Sequence, residues 1–247
     1  MAKYYDRCWN PIFGCNGNFT GCANCYAKSL LKRRTNDNYD FTKVKLNESQ
    51  YKKKFDKEPK LIAVCTQSDL FQDNVKENII NGVLRKCNNI NYNRYLFLTK
   101  YSGNMKDYFN CPQRYKILNN NHINQFKFDN MIFGVTVCDN NDLYRIDDLH
   151  NTKLIKHRFI SFEPVYDRIK LTTDMLKDIE WIIVGGETGD NPHYCKEQWI
   201  IEIIDKANEL NIPVFVNAIH TEGGKVTTEF EEMNIKLHRN EIPFKFY

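Results

Sequence analysis

The sequence predicts an α/β protein folded as a partial (β/α) TIM-like barrel of about six to seven parallel strands. Three observations predict it. Short, nearly continuous apolar runs recur along the 247 residues, each followed by polar or turn residues. Runs without polar alternation suit strands buried on both faces, as parallel strands are. Their spacing, roughly 20 to 35 residues, leaves room for a helix between successive strands, and such units make parallel sheets with right-handed crossovers. Finally, no glycine-rich dinucleotide fingerprint follows the first strand, which favours a barrel over an open doubly wound sheet.

Taken in order, a first strand is expected within 4–9, then a cysteine- and glycine-rich loop over 14–26. From Tyr26 the run Tyr-Ala-Lys-Ser-Leu-Leu-Lys-Arg reads as a helix start. Residues 28–60 form a basic insertion with eleven Lys and Arg against five Asp and Glu. Strands follow at 61–65 and 95–98, separated by a helix over 74–88 with Val75, Ile79, Ile80 and Val83 on one side. The Asn-rich 119–122 reads as a surface loop. Further strands are expected at 131–137, 158–162, 181–184 and 213–216. A helix over 197–210 carries Ile200, Ile201, Ile203 and Ile204 and stops at Asn211 and Pro213. With no linker and no repeat, 1–247 reads as one domain.

Composition narrows the class. Eleven Gly and seven Pro exclude collagen-like and low-complexity chains, and 42% hydrophobic residues are enough for a sizeable core. No stretch approaches the roughly 18 apolar residues of a membrane span. Residues 1–7 lack the apolar core of a secretory signal, so a cytoplasmic protein without membrane partners is expected. In a reducing compartment the nine cysteines serve as core fillers, metal ligands or nucleophiles rather than disulfides.

In a parallel barrel, chemistry gathers at the carboxyl ends of the strands. The residues found there are Thr66, Gln67, Ser68, Asp69, Lys100, Thr136, Glu163, Gly185, Gly186, Glu187 and Asn217. Together they predict a ligand-lined mouth.

The strongest local signal is Gly14-Cys15-x6-Cys22-x2-Cys25-Tyr26-Ala27. The C-x-x-C pair lets one turn aim two sulfurs at one centre, and Gly14, Gly17 and Gly21 permit the tight backbone that brings in Cys15. Three thiolates fit two chemistries. Zinc would need a fourth ligand, supplied by Cys8 or a distant His. A [4Fe–4S] cluster held by three cysteines leaves one iron open.

This segment, ahead of a (β/α) pattern, resembles the cluster loop of radical S-adenosylmethionine (SAM) enzymes, although the first gap is six residues where three is usual. The whole chain resembles a phage-associated family with such a loop. Its landmarks here are Trp9-Asn10-Pro11, the cysteine loop, Gln67-Ser68-Asp69-Leu70-Phe71, Leu98-Thr99-Lys100, Gly134-Val135-Thr136-Val137, Phe162-Glu163-Pro164 and Val184-Gly185-Gly186-Glu187-Thr188-Gly189. The segment 214–220 departs from the aromatic-rich Phe-Lys-Gln-Trp run typical of that family.

The resemblance implies a [4Fe–4S] cluster on Cys15, Cys22 and Cys25. Its open iron would chelate SAM, and an electron from a donor such as flavodoxin or ferredoxin would cleave SAM to begin hydrogen abstraction. Asn24 holds a position whose backbone faces adenine in such enzymes. Radical SAM enzymes often carry Gly-Gly-Glu after the second strand. Here Gly185-Gly186-Glu187 falls on about the sixth, so Thr66, Gln67, Ser68 and Asp69 are the candidates to take its place, and Glu187 is a polar contact. Lys100 is expected on the SAM carboxylate or a substrate phosphate, Glu163 on a ligand, and Cys195 is a candidate hydrogen-atom donor. His220 reads as a loop histidine. The basic 28–60 segment and the phage-like family point to a nucleotide or DNA base as substrate. The rival reading is a non-catalytic nucleic-acid-binding module stabilised by zinc or a cluster.

Overall fold

The computed structural model describes residues 4–35, 40–119, 126–189, 191–221, 223–230 and 233–244. In chain order the elements are β1 (Arg7–Trp9), β2 (Ile12–Phe13), α1 (Tyr26–Thr35), β3 (Lys45–Leu46), α2 (Glu48–Tyr51), β4 (Leu61–Val64), α3 (Glu77–Asn89), β5 (Arg94–Thr99), α4 (Ser102–Asn110) and α5 (Arg114–Asn119). Then come β6 (Met131–Thr136), α6 (Tyr144–His150), β7 (His157–Phe162), β8 (Trp181–Val184), α7 (Glu197–Asn208), β9 (Val214–Val216), β10 (Ile219–His220) and β11 (Val226–Thr227).

Seven strands form one parallel sheet in the order β1-β4-β5-β6-β7-β8-β9, curled into a half-barrel with helices alongside. All seven expected strands are present. Of the expected loop at 119–122, Asn119 closes α5 and the remainder lies outside the described residues. No helix among the described residues is long and apolar enough to cross a membrane.

The two faces of the strands explain why their runs are apolar throughout. Outward residues such as Val64, Phe97, Phe133, Ile160, Ile182 and Val214 pack against Ile80, Val83 and Leu84 of α3 and Ile200, Ile203 and Ile204 of α7. Inward residues Leu61, Leu96, Ile132, Phe159, Trp181, Ile183 and Phe215 fill the concave side, together with Tyr4, Tyr5, Ile242 and Phe244. Gly134 belongs to this packing: a Cβ there would lie 2.5 Å from the Phe159 ring.

Strand register carries the concave face upward into polar chemistry. Thr136, Ser161, Ile183 and Phe215 are successive partners across β6, β7, β8 and β9. Two residues further along the same face stand Glu163, Gly185 and Asn217, because side chains alternate along a strand. The apolar filling therefore ends in a polar layer at the carboxyl mouth.

The basic segment is largely built into the fold. β3 pairs antiparallel with β2, and Gln50 accepts a hydrogen bond from the Trp9 indole at 2.8 Å. Lys86 of α3 donates to the carbonyls of Tyr51 at 2.6 Å and Lys53 at 2.5 Å. Several surface lysines there meet local carboxylates, as Lys52 does Glu48 at 2.8 Å.

Candidate functional site

The loop between β2 and α1 lies across the carboxyl mouth of the half-barrel. Its shape is imposed by backbone bonds to Phe41 and within the loop, and by side chains that follow β4 and β5. Cys15 N–H donates to Phe41 C=O at 2.8 Å, and Cys22 N–H to Phe19 C=O at 3.0 Å. The Gly14 carbonyl accepts from Ser68 Oγ at 2.5 Å and Gln72 Nε2 at 3.1 Å, while Gln72 Oε1 accepts from Asn16 N–H at 3.1 Å. Tyr101 Oη donates to Asn16 Oδ1 at 2.9 Å, and the Phe19 ring stands edge-on to Tyr101 with centroids 4.8 Å apart. Gly21 adopts φ +79°, and a Cβ there would come within 3.0 Å of Cys138 Sγ and 3.1 Å of Pro164. Only glycine fits so close beneath the loop.

Cys15, Cys22 and Cys25 all line one cavity of about 670 Å³, a size typical of small-molecule sites. Asn24, Lys28, Tyr166, Glu187 and His193 share its wall. Burial pushes the Cys15 thiol up to about 11, against the Gly17 N–H that faces its sulfur at 3.4 Å. Among the described residues, no three His, Cys, Asp or Glu side chains converge tightly enough to hold a single metal ion. A tetrahedral zinc draws all its sulfurs to within about 2.3 Å of one point. A cubane cluster takes each cysteine on a different iron, so its thiolates must instead surround a volume. Cys15, Cys22 and Cys25 on one cavity wall are the three-thiolate donor set that such a cluster takes.

Glu187 ties the far end of the sheet to this loop. Its Oε2 accepts from Asn24 Nδ2 at 3.0 Å and His193 N–H at 2.8 Å, and Oε1 accepts from the Tyr166 hydroxyl. Burial would push this carboxyl up; the bonds from His193, Tyr166 and Asn24 outweigh it and hold the group below its ordinary range. The late Gly-Gly-Glu thus reaches the cysteine loop. Its two glycines are explained by the chain that crosses them: Cβ atoms would meet Ala218 O at 3.0 Å from Gly185, and the His220 ring at 2.7 Å from Gly186.

Other sequence-derived candidates take supporting places. Thr66 Oγ1 and Gln67 N–H both donate to Asn10 Oδ1, at 3.2 and 3.1 Å, and the Thr66 carbonyl accepts from Tyr26 Oη at 2.6 Å. Asp69 is 7% exposed and accepts from Thr99 Oγ1 at 2.7 Å, Lys100 N–H at 2.9 Å and Phe71 N–H at 3.0 Å. Burial raises its carboxyl in spite of those bonds. The Thr136 side chain is buried, and its carbonyl accepts from Arg145 at 2.7 Å. Glu163, in the polar layer, accepts from Asn217 Nδ2 at 2.7 Å and Ser161 Oγ at 2.9 Å; burial raises it. Cys195 is fully buried, outside the cavity lining, with burial pushing its thiol up to about 12. His220 belongs to β10 rather than a loop, is 1% exposed, and accepts from Cys195 N–H at 3.3 Å.

Tyr166 and His193, both in the cavity wall, had no sequence signal. Each lies in irregular chain, and each is brought in by Glu187 rather than by a local motif.

Residues 1–238 match the family described as "Protein of unknown function (DUF5131)". The chain belongs to that family. No curated protein matches it. Among solved structures, a spore photoproduct lyase variant with bound AdoMet and dinucleoside spore photoproduct is similar, with a TM-score of 0.44 and 12% identity over 82% of this chain. Spore photoproduct lyase complexed with dinucleoside spore photoproduct is similar at a TM-score of 0.42 and 11% identity over 80% of this chain. The chain spans 61% and 59% of those proteins.

Proposed function

We propose that the protein is a radical SAM enzyme. Cys15, Cys22 and Cys25 would hold a [4Fe–4S] cluster at the mouth of the half-barrel, and SAM would occupy the cavity they line. The observation that carries this reading is the meeting of three cysteine thiols, a hydrogen-bonded Asn24 and the Glu187 carboxylate on one small-molecule-sized cavity. The bound cluster and SAM would supply reductive cleavage of a carbon–sulfur bond and an adenosyl carbon radical that abstracts hydrogen from substrate.

What the chain contributes is placement. The Gly14 and Asn16 anchors fix the entry of the loop, and the Phe19 ring, set between Tyr101 and Arg145, fixes its middle. Asn24 and Glu187 fix its exit. A carboxylate kept charged in the cavity wall favours a cationic ligand, and the amino and sulfonium groups of SAM are both cationic. Ser68 and Gln72 act behind the wall by holding the backbone on either side of Cys15, while Asp69 holds Thr99 and the Lys100 backbone. Lys28, at the edge of the cavity, gives the mouth a cation suited to a phosphate-bearing substrate, so a nucleotide or DNA base remains our substrate class.

Anaerobic reconstitution with iron and sulfide tests the reading. We expect brown protein that, reduced by dithionite, releases 5′-deoxyadenosine from SAM, and we expect Cys22→Ala to abolish release. Cluster-loaded protein that neither binds nor cleaves SAM would overturn it, as would colourless protein carrying stoichiometric zinc.

A further inference from the structure

Lys100 follows β5, where a ligand contact was expected, yet it does not line the cavity. Its side chain runs beneath the cysteine loop instead. Nζ donates to the Thr20 carbonyl at 2.8 Å and lies 3.8 Å from Cys22 Sγ, within reach of an N–H···S hydrogen bond. The loop descends onto it: a Cβ on Gly21 would come 2.9 Å from Nζ, so this glycine is what lets the ammonium and the loop approach. The residue is half-buried, and among the described residues no carboxylate forms an ion pair with its ammonium. Its charge also reaches Asp69, Cys138 and Asp142, but its hydrogen bonds go to one carbonyl and one cysteine sulfur, which poises it for negative charge on that sulfur.

We propose that Lys100 sets the reduction potential of the iron–sulfur cluster through Cys22. This rests on the reading of Cys15, Cys22 and Cys25 as cluster ligands. Reduction adds one electron from a one-electron protein donor, and no proton need move. The added negative charge spreads over the cluster and its thiolate sulfurs. A fixed cation donating to one of those sulfurs stabilises the reduced form more than the oxidised form and raises the potential.

The experiment is a redox titration of reconstituted protein without SAM, followed by electron paramagnetic resonance, on wild type, Lys100→Met, Lys100→Gln and Lys100→Arg. We expect a more negative midpoint for Met and Gln, and one near wild type for Arg. The Gln variant can still donate to the Thr20 carbonyl, so it reports charge should Lys100→Met fail to load. An unchanged midpoint in a loaded neutral variant overturns the proposal. The same unchanged midpoint with weakened SAM binding would assign Lys100 to the SAM carboxylate instead. Wild-type protein that takes up no cluster sinks the functional reading itself, a separate outcome from a cluster indifferent to Lys100.

Discussion

Two glutamates at the mouth illustrate how single residues set opposite pH responses. Glu187 is held below its ordinary value of 4.5, so its hydrogen bonds add stability that is present above that pH and lost as pH falls through the lower native value. Glu163 is held above 4.5 by burial, so the folded state retains its proton longer than the unfolded chain, and stability falls as pH rises from 4.5 through the raised value. Glu187→Gln should lower stability at neutral pH by about 1–3 kcal/mol, because an amide offers one acceptor oxygen to three donors. It should also flatten the acid limb of a plot of denaturation midpoint against pH. Glu163→Gln should flatten the decline that begins above pH 4.5. A Glu187→Gln curve superimposable on wild type would show that this clamp contributes nothing.

At the level of elements, the packing between β6 and β7 depends on the missing side chain of Gly134. Alanine there would drive a methyl into the Phe159 ring, and overpacking of this kind costs about 1–3 kcal/mol. Urea denaturation of Gly134→Ala should show a lower midpoint with an unchanged slope; an unchanged midpoint would mean that the ring swings aside freely. Strands were legible because burial on both faces leaves a continuous apolar run, and six of them were placed to within about a residue or two. The helix expected over 74–88 begins at Glu77 because Gln72–Val75 closes a turn first, with Val75 N–H bonded to Gln72 C=O. The ribbons β2–β3 and β10–β11 escaped notice, since two-residue strands carry no periodicity. In the site, the cysteines and Glu187 could be read from spacing and from their place after a strand. Tyr166 and His193 could not, because their partner is fixed only by the fold.

For the whole molecule, the cysteine loop is tied by hydrogen bonds to residues that follow β4, β5, β6 and β8. This contrasts with small zinc modules, whose folding free energy comes largely from the ion. A ligand that binds only the folded state still raises its stability by mass action. Reconstitution should therefore raise the melting temperature of a protein already folded, shown by a cooperative transition in the cluster-free form, and Cys22→Ala should abolish the increment. A cluster-free chain with no cooperative transition would contradict this order of events.

The bond from Asn24 to Glu187 spans 163 positions of the chain. During synthesis the thiols leave the ribosome early, while the residues that seat their loop emerge much later. A nascent polypeptide would thus present three reactive sulfurs with no scaffold around them. On the proposed reading, iron and sulfide would reach the loop only after Glu187 has emerged and closed its bond to Asn24.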